Sequence, residues 1–358
     1  MRIRRPLVLP TLVLAATLTA TGTSPAAAVA VPGYVALGDS FAAGVGAASY
    51  DGDRSRCYRS PLGYPARVAA SSGLALTFAA CAGAVTADVV DQQAAALRRS
   101  TRYVSLTVGG NDLGFASVLT TCALPGWLGD CTAAVNRGRT TLRTALPERL
   151  DVVLATIRER SPRARVVVTG YPRLFSGDDC NALTFFSDAE MARLNAATEE
   201  LGALIRSRTR AAGMRYVSPV ARFEAHAWCD DQPWILGPRL PRRDSFHPNA
   251  AGHAAYAGLV APALTGSRPA ALAAAAAQAT AAPPPVRLPA TASGTRTGYR
   301  VRTPNLDTAA VTRASVRAGV TRAELRKFRR ALASGASNQT LDRLDAEITR
   351  RAAARQQR

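Results

Sequence analysis

Five short apolar runs punctuate the first two thirds of the chain, and longer amphipathic segments lie between them. Tyr34–Leu37, Leu74–Ala80, Arg102–Val108, Arg165–Thr169 and Arg215–Val217 read as strands, since short apolar runs bounded by turn residues suit strands buried on both faces. Helical spacing covers Leu62–Ser72, Val85–Arg98, Val135–Arg160 and Ser187–Ala212, and a last helix starts near Asn249. The alternation predicts an α/β fold in which a parallel sheet is covered by helices on both faces. Ligands then sit beyond the carboxyl ends of the strands.

The pattern changes after about Leu264. An alanine run leads into Pro283-Pro284-Pro285, with few large apolar groups to build a core, so residues 266–305 read as a linker. Thr321-Arg322-Ala323-Glu324 has the form of a capping box that opens a helix to about Ala333, and a second helix runs from about Thr340 to Ala354. Residues 306–358 are therefore a basic, helical extension. At the other end, Arg2, Arg4 and Arg5 precede an apolar stretch from Pro6 to Ala20, and Ala26-Ala27-Ala28 and Ala28-Val29-Ala30 offer cleavage sites. This is the three-part form of a secretory signal over residues 1–30, too short in its apolar core to span a bilayer comfortably.

Charge and cysteine usage sharpen this division. The formal net charge is +20, nearly all of it from arginine, with Lys327 as the only lysine. From Gly266 onward there are 17 basic and 5 acidic residues, so most of the excess belongs to the extension and residues 31–265 carry only about +5. All six cysteines, Cys57, Cys81, Cys122, Cys131, Cys180 and Cys229, follow the signal. An even number in an exported chain predicts three disulfides, with fifteen pairings open. No Cys-x-x-Cys pair or histidine cluster suggests zinc.

The candidate chemistry gathers at strand ends. Tyr34–Leu37 delivers Gly38-Asp39-Ser40-Phe41 to the carboxyl edge of the sheet, where a serine opening a turn is placed for nucleophilic attack; a turn with a helix N-cap has the same sequence. Such a serine needs a base. Of His226, His247 and His253, His247 is the candidate, in the loop Asp244-Ser245-Phe246-His247-Pro248 ahead of a helix. Asp244 lies three residues before it and is the expected acceptor of its Nδ1–H. His253 falls inside the following helix and His226 near Cys229, which suits packing roles. An oxyanion requires fixed donors. Asn111, in Gly109-Gly110-Asn111-Asp112 after the third strand, offers a carboxamide, and Gly83, in Cys81-Ala82-Gly83-Ala84 after the second, lets backbone approach a ligand.

Gly38-Asp39-Ser40, Gly83, Gly109-Gly110-Asn111-Asp112 and Asp244-Ser245-Phe246-His247-Pro248 together resemble the four blocks of the SGNH (GDSL-type) hydrolase superfamily, in order, over about residues 31–264. The cysteines and Gly170-Tyr171-Pro172 are similar to those of the secreted lipases, esterases and phospholipases of streptomycetes and related actinobacteria. The resemblance implies a flavodoxin-like three-layer α/β/α sandwich with about five parallel strands, an open cleft without a large lid, and no metal or other cofactor. It implies the disulfides Cys57–Cys81, Cys122–Cys131 and Cys180–Cys229. It also implies an acyl-enzyme on Ser40, with His247 as general base and the backbone N–H groups of Ser40 and Gly83 and the side chain of Asn111 as the oxyanion hole. Some members of this group are dyads, in which a backbone carbonyl, here that of Ser245, replaces the acid; Asp244 is the expectation.

The expected function is a secreted, monomeric serine hydrolase of lipid or small acyl esters. A phospholipase or a polysaccharide acetylesterase on the same fold is the alternative, because the segments Leu113–Trp127 and Phe175–Phe186 that would shape an acyl site do not separate them. A non-catalytic envelope-binding protein working through its basic extension is the alternative of another class. The arginines of the extension suit an anionic lipid or cell-wall polymer; nucleic acid is not expected of an exported chain without a recognition motif. Asp39 is expected to brace the turn.

Overall fold

The computed structural model describes residues 31–52, 55–181, 184–266, 287 and 304–358. The signal segment and nearly all of the Ala/Pro-rich linker lie outside the described residues. Five parallel strands form one sheet in the order β2-β1-β3-β4-β5: β1 Gly33–Gly38, β2 Ala75–Phe78, β3 Tyr103–Thr107, β4 Arg165–Thr169 and β5 Arg215–Val217. Register is set by pairs such as Leu37 with Leu106 and Val104 with Val166. The order steps outward from β1 in both directions, so the crevice at the carboxyl end of β1 lies where the chain reverses. That is where Ser40 stands.

Helices cover both faces. Tyr64–Ser72 (α2) and Ala250–Thr265 (α8) pack together on one side. Cys131–Thr144 (α5), Leu146–Arg160 (α6) and Asp188–Ala211 (α7) pack on the other. The short helices Ser40–Ala43 (α1), Thr86–Asp88 (α3) and Phe115–Cys122 (α4) lie at the carboxyl edge. Val104, Leu106, Val166, Val167 and Val168 are buried between the layers, as continuous apolar strands require. Buried polar groups inside the sheet are paired: Tyr34 with Ser105 at 2.7 Å, and Thr107 with both Tyr64 at 2.9 Å and Thr169 at 2.7 Å.

Several boundaries differ from the sequence pattern for local reasons. The periodic segment from Val135 to Arg160 is two helices, broken at Ala145, because Pro147 sits in the first turn of α6, where a proline is tolerated only at a helix start. Val85–Arg98 runs through α3, a π-turn over Val89–Gln93 and a 3₁₀ turn over Ala94–Ala96. α4 occupies a stretch whose pattern had no helical signature. The three disulfides join Cys57–Cys81, Cys122–Cys131 and Cys180–Cys229.

The extension is three helices, Ala309–Arg317 (α9), Arg322–Ala333 (α10) and Asn338–Gln356 (α11). The capping box is formed: Thr321 Oγ1 and Glu324 bond each other's backbone N–H. Leu325, Phe328, Leu341, Leu344 and Ile348 make a separate apolar core. About 50 residues seldom bury enough surface to stand alone, and this core takes two further side chains from the α/β part, Trp127 and Phe185. Phe328 is fully buried, 4.9 Å edge-on from Trp127 and 5.3 Å from Phe185. The extension is therefore packed against the sheet domain and is not a solvated tail.

Candidate active site

Ser40 is the first residue of α1, and Asp39 before it is the N-cap, accepting from the Phe41 N–H at 3.0 Å. The strand end is pinned at Gly38, whose N–H and carbonyl make two bonds with the buried carboxamide of Gln93, at 2.7 and 2.8 Å. Ser40 and His247 are 4% and 1% exposed, so the pair is largely desolvated. Ser40 Oγ lies 2.7 Å from His247 Nε2. His247 Nδ1 lies 2.9 Å from the Ser245 carbonyl. A carbonyl oxygen can only accept, so Nδ1 carries the proton and Nε2 is left as the acceptor for the Ser40 hydroxyl. Burial holds the imidazole at about 4, well below its ordinary 6.5, and the bond to Ser245 offsets only part of that.

The expected contact between Asp244 and His247 is absent. The Asp244 carboxylate instead accepts from the Tyr50 hydroxyl at 2.6 Å, and Tyr50 in turn accepts from the Gly46 N–H at 2.9 Å. The cause is local geometry. Phe246 is buried at φ +60°, which turns the chain between Ser245 and His247 and aims the Ser245 carbonyl back at the ring. Phe246 and His247 are also tied to Leu236 by backbone bonds of 2.8 and 2.9 Å. Gly46 admits this loop: a Cβ there would lie 2.4 Å from the Pro248 carbonyl and 3.0 Å from His247 Cβ.

The loop with Gly83 is held by the Cys57–Cys81 disulfide and by bonds from Cys81 N–H to Gly38 O at 3.0 Å and Ala82 N–H to Cys57 O at 3.0 Å. Gly83 has φ +82°. Asn111 Nδ2 donates to the carbonyl of Ala84 at 3.0 Å, which fixes the carboxamide beside Gly83. Asp112 braces the same loop, accepting from Thr86 N–H at 3.0 Å and Thr86 Oγ1 at 2.6 Å. Asp39 has a part beyond its cap: its second oxygen accepts from Tyr171 at 2.5 Å, and Tyr171 accepts from Gly110 N–H at 3.1 Å. This chain links the serine turn to the asparagine turn through the end of β4. Burial raises the Asp39 carboxyl to about 7, against the opposing pull of its donors.

The structure thus brings Ser40 and His247 into contact and ties the Gly83 and Asn111 turns to each other and to the serine turn, while it turns Asp244 to a different partner. Gln93 and Tyr50 carried no signal in the sequence, and Tyr171 and Phe246 carried one only as part of Gly170-Tyr171-Pro172 and Asp244-Ser245-Phe246-His247-Pro248. His253 is buried, with Nε2 3.1 Å from the Val45 carbonyl, and His226 stacks on Trp234 at 3.6 Å; neither touches Ser40. Next to Gly110 opens an apolar pocket lined by Phe115, Val118 and Leu119 of α4, Val135 of α5, and Leu194 and Leu201 of α7. Phe115 lies 6.5 Å, ring centre to ring centre, from Phe41, the chain neighbour of Ser40.

Residues 36–255 match the GDSL-like lipase/acylhydrolase family. The chain belongs to that family. A lipase of Streptomyces rimosus is 41% identical over 221 residues, 61% of this chain and 81% of the relative. Lipase 1 of Streptomyces coelicolor is 38% identical over 250 residues, covering 68% of this chain and 92% of the relative. Among solved structures, an extracellular lipase from Streptomyces rimosus aligns with a TM-score of 0.61 at 38% identity over 66% of this chain and all of that one. Phospholipase A1 from Streptomyces albidoflavus NA297 aligns with a TM-score of 0.60 at 39% identity over 67% of this chain and all of that one. With the five-stranded parallel sheet, these likenesses make the fold that of the SGNH hydrolases and the protein a serine ester hydrolase.

Proposed function

We propose that the protein hydrolyses acyl esters of lipids, with Ser40 as nucleophile and His247 as general base. The observation that carries this is the 2.7 Å bond between Ser40 Oγ and a His247 whose other nitrogen is committed as a donor. His247 takes the hydroxyl proton as Oγ attacks the ester carbonyl. The backbone N–H groups of Ser40 and Gly83 and the Asn111 carboxamide hold the oxygen that gains charge. The imidazolium then protonates the leaving alcohol, and water, activated by the same base, releases the acid. The Ser245 carbonyl, not a carboxylate, fixes the tautomer and faces the imidazolium when it forms.

The apolar pocket beside Gly110 supports a lipid acyl chain over an acetyl group, whose single methyl would leave that wall uncovered. The relatives named lipase and phospholipase A1 leave open whether a neutral lipid or a phospholipid supplies the ester. The test is a hydrolysis panel of p-nitrophenyl esters of graded length, triolein, phosphatidylcholine and acetylated xylan. Activity on the lipids that disappears in Ser40→Ala and His247→Ala is expected; full activity in either variant ends the reading, and activity on acetylated xylan alone moves the substrate to polysaccharide.

Export through residues 1–30 is part of the proposal, supported by their signal-like pattern and by three disulfides in the described residues. N-terminal sequencing of the protein recovered from medium should begin after Ala28 or Ala30. The extension adds a surface contact. Arg313, Arg317, Arg322, Arg326, Lys327 and Arg330 are exposed on α9 and α10, and Arg322, Arg326 and Arg330 recur every fourth residue along one stripe, which suits an anionic lipid surface. Cosedimentation with phosphatidylglycerol vesicles should fall in the Arg322, Arg326, Arg330→Gln variant; equal binding removes this part.

A further inference from the structure

The extension grips the connections of the helices that line the apolar pocket. Trp127 lies between α4 and α5, in a connection closed by Cys122–Cys131, and donates Nε1–H to Ser315 Oγ at 3.1 Å. Phe185 lies just ahead of α7. One ring, that of Phe328, touches both. Polar bonds follow the same seam: Gly126 N–H donates to the Asp345 carboxylate at 3.1 Å, and the Asn338 carboxamide donates to the Asp179 carbonyl at 2.6 Å. The Asp179 side chain in turn accepts from Phe186 N–H at 3.0 Å. Phe186 faces the other way from Phe185 and packs 5.9 Å from Phe246, the residue between Ser245 and His247.

We propose that the C-terminal helical unit is a clamp that sets the relative position of α4, α5 and α7, and so determines which acyl chains the pocket accepts. The inference rests on the lipid-ester reading above. The family match ends at residue 255, ahead of the unit, so the clamp is an addition to the hydrolase core. A loosened clamp disturbs long acyl chains, which touch the pocket walls along their length. Short acyl chains are spared, because the oxyanion donors and the Ser40–His247 pair handle their carbonyl without those walls.

Gly126 supplies a test that touches neither the pocket nor the reacting groups. A Cβ at this position would lie 2.9 Å from Thr349 Oγ1 and 3.3 Å from its Cγ2, and a β-branched side chain has little freedom to turn away. Gly126→Ala therefore wedges the seam. Adding Thr349→Ala removes both clashing atoms and leaves Thr349 Cβ at an ordinary 3.6 Å. The measurement, on the full chain, is the ratio of kcat/KM for p-nitrophenyl decanoate to that for p-nitrophenyl butyrate. In Gly126→Ala and Phe328→Ala the ratio should fall about fivefold, within the range that one misfitted methylene produces in an apolar pocket. It should return to within about twofold of wild type in Gly126→Ala/Thr349→Ala. A general loss of stability would lower both rates together and leave the ratio alone. An unchanged ratio in Gly126→Ala overturns the proposal, and if Phe328→Ala does not fold the Gly126 pair decides alone. Retained activity in Ser40→Ala would instead overturn the reading of the active site, a separate result.

Discussion

Asp244→Asn separates a catalytic triad from a dyad in this site. An asparagine in place of a triad aspartate lowers kcat by about 10⁴, equivalent to about 5.4 kcal/mol of transition-state stabilisation, because the imidazole takes the wrong tautomer. In this protein the Nδ1–H is held by the Ser245 carbonyl at 2.9 Å, and the Asp244 carboxylate is 2.6 Å from Tyr50. The substitution therefore leaves the tautomer in place. Asparagine still offers Tyr50 an oxygen, and the exchange of a charged for a neutral acceptor costs about 1 kcal/mol of stability. The ion pair with Arg243, at 3.5 Å and partly exposed, adds little. The expected result is a small fall in melting temperature, with kcat on p-nitrophenyl butyrate within about tenfold of wild type. The acid limb of the pH profile gives a second readout, since a carboxylate on Nδ1 would raise the pKa of His247 and its removal would lower it. Asp244→Asn should leave that limb where it is. A fall in kcat of more than about 10³ with the protein still folded would refute the dyad and restore Asp244 as the third member.

Three further outcomes follow from the same geometry. His247 is held at about 4 by burial, so it is neutral and able to accept a proton down to that pH; kcat/KM should rise through an apparent pKa near 4 and stay flat at neutral pH, and a limb near 6.5 would contradict the buried dyad. Asn111→Ala removes one of the proposed oxyanion donors and should lower kcat by about 10²–10³ with KM for p-nitrophenyl butyrate little changed; a loss below about tenfold would take Asn111 out of that role. Asp345, between Gly126, Asp342 and Glu190, is raised by burial and by those two acids from 3.8 to about 7, so its ionisation opposes docking: the seam is at full strength below about pH 4 and weakens as pH rises to about 7, and Asp345→Asn should abolish the pH dependence of the protection factor at the Gly126 amide, its exchange rate taken relative to the intrinsic rate at each pH.

What the sequence revealed and what it hid divide along physical lines. The five strands were legible because strand residues such as Val104, Leu106 and Val166–Val168 are buried between the layers and apolar, while the buried Ser105 and Thr107 are paired inside the sheet. Their order was not, since it depends on contacts between segments far apart in the chain. α4 was missed because eight residues give too few turns for a period to show. The first of the predicted helices of the extension was legible from its capping box, Thr321-Arg322-Ala323-Glu324, but the docking of the extension was not: Trp127 and Phe185 look like ordinary loop aromatics until Phe328 is placed between them.

The contact expected between the Asp244 carboxylate and His247 is not formed, for a more general reason. Nearness along the chain favours a carboxylate three residues before a histidine, but a side chain is aimed by backbone torsions, and Phe246 at φ +60° reverses the local direction. Tyr50, 194 residues away, then captures the carboxylate. The group that replaces it on Nδ1 is a main-chain carbonyl, which every residue possesses and no residue type advertises. Only indirect signs of it exist in side chains: Gly46, which leaves room for the loop; Phe246, buried by Phe175, Phe186 and Trp228; and the Ser245 hydroxyl, bonded to Arg239 N–H at 3.0 Å. A backbone acceptor is only as fixed as the packing around it. A dyad of this kind therefore moves the demand for precision from the identity of residue 244 to the burial of residue 246, and substitutions at Phe246 should harm catalysis more than substitutions at Asp244.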